Sequence, residues 1–237
     1  MILDPNALFN HAFSLHQAGN LNDAIPLYQH LHVQFPDNAE ILALLGTAWL
    51  QLDDLSEGIR ALEHSLKISP AQPVALSNIG NAFHKLKRFD ESIIFCDRAL
   101  ALNPDFSAAY NNRADSLILL KQFDAALESC DRAIVLNPDF AEAYCTRGVV
   151  LCELRHFDEA LLCFERAIAL KPSSFDAHNN KAAVLSELKR FDEALMSYEC
   201  AISLKPDIFQ TYNNKGAVLS ELKRFGEALL WRHLTKG

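Results

Sequence analysis

Glycine and proline are scarce in this 237-residue chain, at eight and nine. That is too few for a collagen-like or linker-rich protein. No apolar run reaches transmembrane length, so no membrane partner is expected. The opening stretch, MILDPNALFNHAF, lacks the basic segment and apolar run of a secretory leader. Basic residues are outnumbered, 22 Lys and Arg against 30 Asp and Glu, a net charge of −8. A nucleic-acid footprint is therefore missing, and phosphate polymers are poor candidate partners. A cytoplasmic location, where thiols stay reduced, is the default expectation. What is present is 50% hydrophobic and 22% charged, the composition of a soluble chain able to bury a core.

Chemistry-bearing patterns are equally thin. The six cysteines (96, 130, 145, 152, 163 and 200) form no C-x-x-C pair, and no histidines follow at finger spacing. Cys145 and Cys152 share a helix face, but two thiols do not complete a zinc site. The nine histidines are scattered, no Ser/His/Asp set recurs, and there is no glycine-rich phosphate loop. The chain reads as a non-enzyme with no cofactor and no metal.

The prolines carry the organising signal. Pro36, Pro70, Pro104, Pro138, Pro172 and Pro206 stand 34 residues apart, so the chain is a repeat array. Ending each repeat two residues after its proline gives 5–38, 39–72, 73–106, 107–140, 141–174, 175–208 and an incomplete 209–237. With positions in each repeat numbered 1 to 34, position 8 is always small (Ala12, Gly46, Gly80, Ala114, Gly148, Ala182, Gly216). So is position 20 (Ala24, Gly58, Ser92, Ala126, Ala160, Ala194, Ala228). Position 11 is large and apolar, and position 17 is Leu21, Leu55, then phenylalanine to Phe225. Apolar and small residues at i, i+4 and i+7 predict two helices per repeat, in close approach at the small sites. Position 18 (Asn22, Ser56, Asp90, Asp124, Asp158, Asp192) is expected to cap the second helix. The proline ends it.

Tyr144, Gly148, Leu151, Ala160, Phe164, Ala167 and Pro172 show the pattern in one repeat. On these columns the chain resembles the tetratricopeptide repeat (TPR) family over nearly its whole length. The resemblance implies an all-α, right-handed superhelical solenoid, a single array over 1–237, with a concave groove lined by the first helices. Cys96 and Cys130 replace the aromatic at position 24, predicting smaller cores there. Arg113, Arg147, Lys181 and Lys215 occupy position 7, each after a repeat with an acid at position 25 (Asp97, Asp131, Glu165, Glu199). Inter-repeat ion pairs are expected, worth about 1 kcal/mol at most where exposed.

Position 6 is the polar column with a functional reading: Asn10, Asn78, Asn112, Asn180 and Asn214, joined at position 5 by Asn111, Asn179 and Asn213. Asparagine is a mediocre helix former, and its amide can bond both a C=O and an N–H of an extended peptide. Hydrogen bonding between repeats is the competing reading. Asparagine ladders of this kind are similar to those of TPR arrays attached to O-linked N-acetylglucosamine transferases, a resemblance that implies peptide contact. The transferase domain is absent from this chain. Position 5 holds no lysine, against the carboxylate clamps that hold chaperone tails.

The expected function is thus a protein-interaction scaffold binding an extended partner segment. Its groove would be apolar at Phe9 and Phe13, and acidic at Glu153, Glu187 and Glu221, favouring neutral or basic segments. The alternatives are the recognition arm of a larger glycosyltransferase-like enzyme and a self-associating module. Residues 179–195 and 213–229 differ at two sites only, and no polar helix follows to cap the stack. A fragment, a frameshifted product and part of a longer protein all remain open. Leu219, Phe225, Leu229 and Trp231 should then promote homo-oligomers. Sedimentation should show species that grow with concentration; a clean monomer at high concentration overturns this.

Overall fold

The computed structural model describes residues 4–222. All regular structure among them is helical, and the helices form two compact units, residues 1–120 and 121–237. The first contains α1 (Pro5–Gln17), α2 (Leu21–Gln34), α3 (Ala39–Gln51), α4 (Leu55–Ile68), α5 (Pro73–Lys85), α6 (Phe89–Leu102) and α7 (Ser107–Leu119). The second contains α8 (Phe123–Leu136), α9 (Ala141–Glu153), α10 (Phe157–Leu170), α11 (Phe175–Glu187), α12 (Phe191–Leu204) and α13 (Phe209–Glu221). Odd-numbered helices fill repeat positions 1–13 and even-numbered ones positions 17–30, which is the all-α helix-pair array expected. The division into units falls within the fourth repeat, between α7 and α8. The 34-residue period runs through it unchanged. Leu219 is buried in the core of the second unit. Phe225, Leu229 and Trp231 lie outside the described residues.

The pairing of helices rests on the small columns. A Cβ at Gly46 would lie 2.7 Å from Leu62 Cγ and 2.9 Å from the Gly58 carbonyl oxygen. At Gly148 it would meet the Phe164 ring at 2.6 Å. The side chain at position 24 therefore sits directly over position 8. Tyr28, Leu62, Cys96, Phe164 and Tyr198 fill that place, each 2% exposed or less. The smaller core expected at Cys96 is not a void. A Cβ on Gly80 would come within 2.7 Å of its sulfur, so α5 and α6 have closed onto the smaller side chain. Such burial raises the Cys96 pKa to about 12, and the residue behaves as an inert apolar filler.

The turns within repeats correct one expectation. Each second helix begins at position 17, so the position-18 residues sit inside its first turn and are not N-caps. Among the described second helices, only the one after Asp54, at position 16, is capped by a side chain, which accepts from the Glu57 N–H at 3.1 Å. The aspartates at position 18 act instead on the helix macrodipole. Position 15 carries the reversal. Gly19, Asp53, Lys87, Lys121, Arg155 and Lys189 all have left-handed backbone, with φ from 59° to 78°. The next N–H reaches back to the carbonyl at position 11: Arg88 to Phe83 at 2.9 Å, His156 to Leu151 and Arg190 to Leu185 at 2.8 Å. This double turn satisfies carbonyls in the last turn of these first helices.

Adjacent repeats are joined by the expected ion pairs. Arg113 bonds Asp97 at 2.7 Å, Arg147 bonds Asp131 at 2.8 Å, Lys181 bonds Glu165 at 2.9 Å and Lys215 bonds Glu199 at 3.0 Å. The cationic side chains are a quarter exposed or less, apart from Arg147 at 27%, and the acids are at least half exposed. The stems therefore pack against the stack while the heads meet solvent-facing carboxylates. Arg147 also donates to Cys163 Sγ on the second helix of its own repeat at 3.2 Å.

Two substitutions test this architecture. Gly148→Leu should overpack α9 against Phe164 and lower unfolding stability by about 1–3 kcal/mol in denaturant titration. Lys189→Gly should raise it by about 0.5–1 kcal/mol, since glycine adopts the left-handed turn without a Cβ penalty.

Candidate interaction groove

The asparagines of position 6 do not share one fate. Asn78 donates to Thr47 Oγ1 on α3 at 3.3 Å. Asn112 donates to Ser77 Oγ on α5 at 3.1 Å and accepts from Asn81 Nδ2 at 3.3 Å. In the first unit the ladder is thus a set of inter-repeat hydrogen bonds, the competing reading of this column, and the Asn78 and Asn112 amides are used within the fold. In the second unit Asn180 has no hydrogen-bond partner among the described residues. Asn214 accepts from Gln210 on its own helix at 3.0 Å and also hydrogen-bonds the buried Tyr198 hydroxyl on α12, so its amide is engaged within the fold. Asn10 is exposed.

Ser77, at position 5, gives Asn112 one of its partners; the rest of the difference lies in the residue at position 9 of the preceding repeat. It is Thr47 beneath Asn78 and Asn81 beneath Asn112, both able to bond an amide. It is Val149 beneath Asn180 and Ala183 beneath Asn214, which cannot. The position-5 asparagines are also engaged in part. Asn179 accepts from Thr211 Oγ1 at 3.2 Å, and Asn111 donates to Asp115 at 3.3 Å with its own oxygen buried and unsatisfied. Asn213 is exposed.

Around Asn180 lies an open pocket of about 260 Å³ between α9, α10 and α11. Its floor is apolar, from Val149, Phe157, Phe164, Ala183 and Val184. Its polar wall is the Asn180 amide with the carboxylates of Glu153 and Glu187, the last residues of α9 and α11. Both glutamates are exposed, and neither forms an ion pair among the described residues. Cys152 completes the lining. Burial first, then the charge of Glu153, raises its pKa to about 12, so it presents a neutral thiol. Column patterns in the sequence point to Asn180, Glu153 and Glu187, but they give no sign that Phe157 and Val149 meet them.

In the first unit, Phe9 stacks on Phe13 with ring centres 6.4 Å apart and meets Tyr28 edge-on. Phe9 is half-buried and lines a second hollow of about 290 Å³ with Leu31, Phe35 and Ile41, while Phe13 is 38% exposed. No group of three or more His, Cys, Asp or Glu side chains able to hold a metal ion occurs among the described residues. No described helix is long and apolar enough to cross a membrane. All six thiols are unbridged.

Four tetratricopeptide-repeat family models match the sequence, at residues 15–67, 73–106 with 175–208, 95–128 and 115–188. The chain is built of tetratricopeptide repeats. A solved APC/C hetero-tetramer, Cut9–Hcn1, aligns over 95% of this chain with a TM-score of 0.86 and 19% identity. The alignment covers 45% of that relative's length. TTC0263, a thermophilic TPR protein of Thermus thermophilus, gives 0.66 at 22% identity, covering 81% of this chain and 100% of its own. YrrB, described as a TPR protein with an unusual peptide-binding site, gives 0.57 at 20% identity, covering 79% and 97%. At these identities the likeness is one of fold. No curated protein sequence matches significantly.

The two kinds of asparagine should separate in stability measurements. Asn78→Ala and Asn112→Ala each remove an inter-repeat bond and should cost about 0.5–1.5 kcal/mol. Asn180→Ala should leave the unfolding midpoint unchanged or slightly raised, because alanine is the better helix former.

Proposed function

We propose that this TPR chain is a non-catalytic scaffold that holds an extended segment of a protein partner along the first helices of its second unit. The observation that carries the reading is the unengaged Asn180 amide beside an apolar pocket open to solvent. A helix-borne amide with one acceptor and two donors can bond a peptide unit of any sequence. An adjoining hollow of this size can accept a side chain from the same segment. Asn214 and Asn213 extend the polar line one repeat further, and Asn179 lies within it. Asn10, Asn78, Asn111 and Asn112 contribute less, because they are exposed at the array's start or tied into the stack. Phe9 and Phe13 form a separate apolar surface in the first unit. The peptide-binding description of YrrB is consistent with this use of the fold.

The narrower likeness to glycosyltransferase-attached arrays has less support. It rests on the asparagine column, and Asn78 and Asn112 are engaged within the fold.

The test is selection of short peptides from a displayed library on the whole chain, followed by affinity measurement. Ala183→Phe fills the pocket and should abolish binding of the selected peptides. Asn180→Ala should weaken it about threefold to tenfold, the worth of one hydrogen bond. Peptides that bind both variants as well as the parent chain would overturn the reading.

A further inference from the structure

We infer that the pocket between α9, α10 and α11 takes a lysine or arginine side chain of the partner segment. The inference rests on the groove reading above and adds the chemistry of the residue that anchors it. The pocket has two parts in the order that such a side chain needs. Val149, Phe157 and Val184 supply an apolar wall for a methylene stem, and Glu153 and Glu187 supply anionic oxygens for the head. Long cationic side chains bury their stems while the charge stays at the solvent edge. A purely apolar side chain would leave both carboxylates unpaired.

The placement of the glutamates is a separate observation. Glu153 ends α9, Glu187 ends α11 and Glu221 ends α13. A carboxylate at a helix C-terminus opposes the macrodipole. The corresponding residues of the first unit are Gln17, Gln51, Lys85 and Leu119, with no acid among them. The three glutamates form no ion pair among the described residues, although cations are plentiful on this unit. Lys181 is held by Glu165, Lys215 by Glu199, Arg190 by Glu193 and Lys171 by Glu142. Three successive acids at the unfavourable end of a helix, two of them left unpaired beside an apolar hollow, are the complement of an external cation. Two cations of the chain itself follow these glutamates by two residues, Lys189 after Glu187 and Arg155 after Glu153. The Arg155 guanidinium lies over the Phe157 ring, 5.3 Å from the centre, so a wall of this pocket already accepts a guanidinium face.

The experiment uses the full chain and the peptides selected on it. Selected peptides should share a lysine or arginine at one fixed position. Replacing that residue by norleucine should weaken binding about tenfold, and the double variant Glu153→Gln, Glu187→Gln should weaken it by a similar factor. The two losses should not add, because they remove the same interaction. Raising salt should weaken the parent complex and leave the double variant little affected. Both glutamates are exposed, so the variant's circular dichroism should be unchanged and its unfolding midpoint unchanged or slightly raised, and both are checked alongside. If Ala183→Phe abolishes binding but the double glutamine variant does not weaken it, the groove stands and the cationic anchor is wrong. Fixed aromatic or aliphatic residues in place of the basic one lead to the same conclusion. If Ala183→Phe changes nothing, or no peptide is enriched, the groove reading itself falls and this inference with it.

Discussion

Two helices can lie against each other only as closely as the smallest side chains between them allow, and here that limit is set at positions 8 and 20. Where glycine stands, as at Gly46 and Gly148, the space for a Cβ is already occupied by the partner helix. Everything else in a repeat follows from that approach. The side chain at position 24 lies over position 8, so its size sets how far the pair can close. Phe164 and Cys96 both fit because the helices adjust to each. With the pair fixed, position 7 of a first helix reaches the acid at position 25 of the preceding second helix. The four ion pairs come out at nearly the same length. They are individually modest, but each fixes the rotation of one repeat on the next. In a stack where stability is a sum of nearest-neighbour terms, that register determines which residues of successive first helices face each other.

The features legible in the sequence are those repeated at every period. The proline spacing and the two small columns are of this kind, and the acid–base alternation between positions 25 and 7 recurs at the last four repeat boundaries, so their structural meaning can be read directly. What escapes is set by a neighbour or by an unusual residue. Position 15 normally advertises a helix stop through glycine, but only Gly19 does so here. Asp53, Lys87, Lys121, Arg155 and Lys189 adopt the same left-handed turn under a side chain that hides it. With the turn hidden, the position-18 acids look like the start of the second helix. The helix in fact begins one residue earlier, and they do not cap it.

The asparagine column shows the same limit more sharply. Asn78, Asn112, Asn180 and Asn214 are identical in type and in helix position, yet the first two bond the neighbouring helix and Asn180 bonds nothing described. The cause lies 31 to 35 residues away, at position 9 of the preceding repeat and, for Asn112, also at position 5. A column read one residue at a time cannot reveal this, because the deciding quantity is a pair across the repeat boundary. Positions 6 and 9 taken together do reveal it: Asn over Thr47 or Asn81 closes the amide within the stack, while Asn over Val149 leaves it open.

That pairing also accounts for why the amide and the apolar pocket occur at one place. Changing position 9 from a polar to an apolar residue does two things at once. It removes the intramolecular partner of the next asparagine, and it lays a hydrocarbon surface beside the amide so released. Val149 does both for Asn180, with Phe157 and Val184 extending the surface. Ala183 lies beneath Asn214 in the same way, but there the amide is taken up by Gln210 and by the Tyr198 hydroxyl. In the first unit, Thr47 and Asn81 do the reverse, tying up the amides and keeping that surface polar. The distribution of hydrogen bonds inside the stack and the position of the candidate groove are therefore linked, through a residue as inconspicuous as Val149.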